Sequence, residues 1–244
     1  MSINRTFLML SGGPGIRNLK DKEHDISWAN YVNYPLNLAY HKTFPAKPNE
    51  QVVWAIFKPA FEKRWADDVK HNRSSVKEVK AKGFNSYVQL LEARAKQYGW
   101  TLKWIGKGSE FWEAIRKCGS KPVSRFWYFG HAQDNLWLTL EHNRSNTPVM
   151  PSDPGAVIWK SDIKADLAPF ISGGQTTYDS SASTKIFGCN TGTFAKQWAV
   201  TYNVYAEGAV GTLDFGVFLK SKDNHTNLAT GCTWVKYKPD GGVL

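Results

Sequence analysis

Cysteine is scarce in this chain: Cys118, Cys189 and Cys232 are the three among 244 residues, and no two have CxxC spacing. So sparse and odd-numbered a set argues against a disulfide framework and a structural zinc site. It fits a reducing compartment. No pair of histidines has metal-ligand spacing, so neither a metal nor a cofactor is expected. Long apolar runs are missing as well. None approaches the roughly 18 residues that a bilayer-spanning helix needs. Phe7-Leu-Met-Leu10 is shorter than the about 7–15-residue core of a signal peptide, and a glycine turn follows it. The expectation is a soluble protein without a transmembrane segment, cytoplasmic or exported without a cleaved signal. No paired carboxylates of glycosidase type stand out, and no internal repeat is visible. Gly12-Gly-Pro-Gly15 has glycines, but in the spacing of neither a dinucleotide fingerprint nor a P-loop.

Aromatic residues, in contrast, are plentiful. Eleven tryptophans and 42% hydrophobic residues imply a large packed core, and 21% charged residues is ordinary globular usage. The length suits one α/β domain, 1–244, with 216–244 as a C-terminal hairpin extension around Thr233–Tyr237. The formal net charge of +10 favours an anionic partner. Its densest stretch runs from Lys58 to Lys82 and also carries Glu62, Asp67, Asp68 and Glu78. A solvated helical face is the preferred reading of that stretch, and a polyanion patch the competing one.

Strand and helix signals alternate along most of the chain. Arg5–Ser11, Gln51–Phe57, Trp100–Ile105, Val123–Phe129, Leu136–Thr139, Lys185–Gly188 and Val204–Val210 read as strands. Helices are expected around Trp28–Tyr34 (limited by Pro35), in the basic stretch, and over Phe84–Tyr98, Phe111–Cys118, Ser161–Phe170 and Thr193–Tyr202. Gly173–Ser183 reads as loop. This alternation predicts an α/β fold, a mainly parallel central sheet with helices on both faces.

Two segments carry chemistry: Arg125-Phe-Trp-Tyr-Phe-Gly-His131-Ala132 and Lys185-Ile-Phe-Gly-Cys189-Asn-Thr-Gly192. Each is an apolar run that ends in Gly and then offers a reactive side chain. Groups at the carboxyl ends of neighbouring parallel strands meet in one crevice. A thiol and an imidazole meeting there suit nucleophilic catalysis, with Cys189 attacking and His131 exchanging protons. A helix start beyond Cys189 and a nearby imidazolium would both favour its thiolate. The backbone N–H groups of Ala132 and Cys189 are the natural oxyanion donors.

The order strand–Gly-His-small, short strand, helix, strand–Gly-Cys-x-Thr/Ser-Gly, helix resembles the caspase-like cysteine peptidases. That group includes caspases, metacaspases, separase, CHAT domains and toxin self-processing domains. The resemblance covers roughly Trp100 to Asp214, with Arg5–Ser11 as a fitting first strand. It implies a caspase–hemoglobinase fold, a His131–Cys189 dyad, a protein or peptide substrate and the setting of a bacterial effector or toxin. One departure is that His131 is followed by Ala132, where the family usually has Gly.

Three acidic residues are further candidates for substrate binding. Asp25 lies in a region from which the family draws its pocket. Asp134 follows His131 closely, and Asp214 follows a strand, where an acidic residue in related peptidases selects Lys or Arg. Two competing functions stay open: a non-catalytic α/β module binding nucleic acid or another polyanion, and a thiol amidase or acyltransferase on a non-protein substrate.

Overall fold

A computed structural model describes residues 2–15, 27–116, 121–132, 136–139, 157–163, 178–213, 228 and 231–244. Nine strands lie among them: β1 (Arg5–Ser11), β2 (Glu50–Phe57), β3 (Thr101–Ile105), β4 (Val123–Phe129), β5 (Leu136–Thr139), β6 (Val157–Trp159), β7 (Tyr178–Phe187), β8 (Tyr205–Val210) and β9 (Thr233–Tyr237). The helices there are α1 (Asn33–Tyr40), α2 (Lys58–Lys70), α3 (Ser74–Ala81), α4 (Tyr87–Gln97), α5 (Gly108–Arg116) and α6 (Gly192–Tyr202).

Seven strands form one sheet in the order β3-β2-β1-β4-β7-β8-β9, and β5 and β6 pair antiparallel in a small second sheet. The first six strands of the large sheet are parallel, and β9 runs antiparallel to β8. The strands alternate their side chains between two apolar layers. Leu8 and Leu10 point into a layer with Phe111, Trp112 and Ile115 of α5 and Phe194 and Trp198 of α6. Phe7 and Met9 point into the other, with Tyr34 and Leu38 of α1, Phe61 of α2, Val79 of α3 and Tyr87 and Leu91 of α4. Helices therefore cover both faces, as the alternating pattern predicts, and the fold is α/β.

The chain moves outward from β1 through β2 to β3, then returns to the other flank of β1 with β4 and continues through β7 to β8. The direction reverses between β1 and β4, and open α/β sheets bind ligands beyond the carboxyl ends of strands at such a switch point. At the opposite ends of these strands Glu50 locks three of them together. Its carboxylate accepts from Ser124 Oγ and from the guanidinium of Arg125 on β4, and Ser124 Oγ also reaches Thr6 O on β1. Burial pushes the Glu50 pKa up, but the bonds from Arg125, the Lys47 N–H and Ser124 outweigh it, and the net direction is down.

Three elements depart from the expectations. Helix α1 contains Pro35 in its first turn instead of ending at it, since a missing N–H is harmless there. Pro59 likewise stands at the start of α2. The basic stretch is helical, but it is not simply a solvated face. Arg64 and Asp68 are buried as a pair, and Arg64 Nη1 donates to Gly15 O across 3.0 Å. Strand β7 begins at Tyr178, inside what reads as loop, because its Asp, Ser and Ala residues are weak strand formers that a neighbouring strand can still recruit. The pairing of β4 with β7 is irregular there: Val123 lies opposite Tyr178 but Arg125 lies opposite Ser183. Thr233–Tyr237 is a strand, the last of the large sheet, and residues 214–227, which would complete a hairpin extension, lie outside the described residues. So do Cys118 and all but the beginning of the helix expected over Ser161–Phe170.

Candidate functional site

The site is built from the carboxyl ends of β1, β4 and β7. β4 and β7 are direct parallel neighbours, with Phe129 opposite Phe187. These two rings are buried and stacked, 4.6 Å between centroids, and Tyr34 of α1 packs against both. The Gly130 N–H donates to Phe187 O at 3.1 Å. One residue beyond, at equivalent positions on adjacent strands, stand His131 and Cys189. Adjacent strands lie about 4.8 Å apart, so this register brings the two loops together at the strand ends.

Both glycines are sterically required. A Cβ on Gly130 would lie 2.0 Å from the Tyr128 hydroxyl, which folds beneath the loop and donates to His131 O. A Cβ on Gly188 would lie 2.8 Å from the Ala132 Cβ. The residue after the histidine therefore packs directly on the residue before the cysteine. The Ala at this position has a physical place: its methyl occupies the space that Gly188 leaves open.

The cysteine loop turns sharply from β7 into α6. Asn190 takes a left-handed backbone conformation, with φ of 54°. It is fastened to the end of β8 twice, by its N–H to Gly211 O and by its side chain accepting from Gly211 N. Thr191 is buried, and its hydroxyl is bonded to Ile186 O, Gly188 O and the Ala209 N–H at 3.1, 3.1 and 3.0 Å. Gly208 on β8 permits this approach, since a Cβ there would meet Thr191 O at 2.5 Å.

Cys189 is half-buried, and its Sγ accepts from the Leu213 N–H at 3.4 Å. Burial pushes its pKa up, against the lowering effect of the Leu213 bond. This corrects the expectation of a thiolate favoured by the helix start, because desolvation outweighs the amide dipoles. Cys232 sits on the far side of Gly211 and accepts from the Thr212 N–H at 3.0 Å. Both are free thiols.

His131 is partly exposed, and its Nε2 shares a 2.6 Å hydrogen bond with the hydroxyl of Tyr31. Tyr31 comes from the segment before α1 and is buried. Sequence reasoning missed it, because a tyrosine in a segment of mixed pattern gives no signal of its own. The structure thus brings the ends of the His131 and Cys189 strands together and adds Tyr31. Asp25, Asp134 and Asp214 lie outside the described residues. Among the described residues no cluster of His, Cys, Asp and Glu could hold a metal ion, and no helix is long and apolar enough to cross a membrane.

No protein-family model matches the chain, and no curated protein matches it. Among solved structures it is similar to the C-terminal domain of the coenzyme A biosynthesis bifunctional protein CoaBC. That match is 9% identical, spans 100% of this chain and 87% of the other, and has a TM-score of 0.35.

Proposed function

We propose that this protein is a cysteine hydrolase of the caspase-like kind, an endopeptidase in which Cys189 is the nucleophile and His131 the acid–base group. The observation that carries this reading is the register of β4 on β7, which sets an imidazole and a thiol two residues beyond paired phenylalanines. The switch point beside β1 supports it, since ligands of open α/β sheets bind there. Peptide-bond cleavage follows from the chemistry of these groups. The pKa of the thiol is raised, so His131 takes its proton as the sulfur attacks the carbonyl carbon. The carbonyl oxygen becomes an oxyanion facing the backbone N–H groups of Ala132 and Cys189. His131 then gives its proton to the leaving amine, a thioester remains on Cys189, and water hydrolyses it. Asp25, Asp134 and Asp214 are proposed to select the side chain beside the cut bond.

The polyanion reading has less support. Of the basic stretch, Arg64 is buried on Asp68, and Lys58 pairs with Glu62.

The test is cleavage of a peptide library by wild type, Cys189→Ala and His131→Ala, with circular dichroism to check folding. Cys189→Ala should be inactive. His131→Ala should turn over at least about 10²-fold more slowly, the lower end for a general acid–base group. Alkylation of free wild-type Cys189 should be slow at neutral pH and rise steeply on the alkaline side, because its pKa is raised. Folded Cys189→Ala that cleaves like wild type ends the proposal. Asp214→Ala and Asp25→Ala should alter side-chain preference with the thiol still reactive.

A further inference from the structure

We infer that Tyr31 is a positioning residue of this site, holding the His131 ring in one orientation and one tautomer. The inference rests on the hydrolase reading for its consequence, but its geometry stands independently. Tyr31 and His131 are 100 residues apart in sequence, and their bond of 2.6 Å is short for a neutral pair. The rings also meet edge-on, with centroids 5.0 Å apart and planes at 64°.

A tyrosine can orient a histidine only if it is itself held, and here it is. The Ser11 hydroxyl donates to Tyr31 O at 2.8 Å, and the Trp54 indole N–H donates to Ser11 Oγ at 3.0 Å. Ser11 and Trp54 have no exposed surface, and Tyr31 is 2% exposed. The chain of contacts thus runs from β2 through the last residue of β1 to Tyr31 and on to the imidazole. Ser11 precedes Gly12, whose N–H donates to Phe129 O on the histidine strand. The same strand end therefore fixes the histidine from both sides.

The chemical consequence concerns which nitrogen works. A ring nitrogen committed to a buried hydroxyl sets the protonation of the other, as second partners of functional histidines do. With Nε2 engaged by Tyr31, that bond fixes the tautomer in which the imidazole meets the site. Tyr31 does not react; it acts through the imidazole.

The experiment is histidine side-chain ¹⁵N–¹³C correlation spectroscopy on the full chain, comparing wild type, Tyr31→Phe and Ser11→Ala. It is paired with the pH dependence of Cys189 alkylation. Wild-type His131 should show a single dominant tautomer. Tyr31→Phe keeps the buried ring and loses only the hydroxyl, so it should fold and show averaged tautomers. Its alkylation limb should shift, and alkylation should slow by about tenfold, the size expected for losing one hydrogen bond. Ser11→Ala keeps the hydroxyl and should change the same signals in the same direction by less. An unchanged His131 tautomer in folded Tyr31→Phe overturns the inference. A Tyr31→Phe effect on the imidazole in a protein whose Cys189 supports no cleavage upholds the positioning role and counts against the hydrolase reading alone.

Discussion

Gly188 and Ala132 make a pair whose meaning is steric. The methyl of one fills the space above the other, and Thr191 Cγ2 and Gly130 O close the remaining sides, 3.1 and 3.2 Å from where a Cβ on Gly188 would lie. Gly188→Ala should overpack this contact and cost about 1–3 kcal/mol, the usual range for an extra methyl in a tight site. Ala132→Gly in the same chain should relieve part of that cost, because the nearest obstructing atom is removed. Urea midpoints of the two single variants and the double variant measure the coupling. Strict additivity would show that the two positions do not share this space.

The loop between β7 and α6 depends on one hydroxyl. Thr191 joins two carbonyls of its own strand end to an amide of β8, and it does so in the interior. Thr191→Val conserves shape and removes all three bonds, leaving the Ala209 N–H without its acceptor. We expect a loss of about 1–3 kcal/mol, the range for stranding a buried donor, together with a changed alkylation rate at Cys189 two positions away. Equilibrium unfolding and timed iodoacetamide labelling read the two effects separately. Wild-type stability in this variant would mean that the pairing of β7 with β8 and the Asn190–Gly211 bonds hold the loop without it. Strand β7 was only half legible in the sequence. Its end, Lys185–Phe187, is an apolar run closed by glycine. Its beginning, from Tyr178, is Ser- and Thr-rich and joins the sheet because β4 is there to receive it. Helix α1 was misread for the opposite reason: Pro35 looks like a stop, and only the position of the helix start makes it a first-turn residue.

Across the molecule, buried phenols and a buried thiol give stability a clear pH dependence. Burial raises the pKa values of Tyr34, Tyr87, Tyr128 and Cys189. Each group is protonated in the folded state beyond the pH at which the unfolded chain releases its proton. Its contribution is fully present below the unfolded pKa and is lost as pH rises toward the folded one. Stability should therefore decline from about pH 9, where an ordinary thiol titrates, and more steeply above about pH 10, where ordinary tyrosines do. Glu50 works in the opposite sense: its lowered pKa gives stability that is lost as pH falls through the folded value. Urea titrations at stepped alkaline pH check the first statement, and a flat midpoint up to pH 11 would contradict it. Tyr128→Phe should flatten the alkaline decline.

What was legible in the chain was local. Alternating apolar runs and amphipathic stretches announce an α/β sheet protein, since strand and helix periodicities are properties of neighbouring residues. β1, β4, α6 and most of β8 stand where their residues alone put them, and the glycine-terminated runs mark the ends at which His131 and Cys189 sit. Spatial neighbours were not written there. That β4 returns beside β1 and takes β7 as its partner depends on crossovers of many residues, so it is set by how whole layers pack. The bond from Tyr31 to His131 spans 100 positions and exists because Ser11 and Trp54 hold the tyrosine in place. The thiol's protonation was misjudged for the same reason. A helix start is visible in sequence, but the segment from Gly211 to Leu213 that helps bury Cys189 arrives from another strand, and desolvation belongs to the folded surroundings.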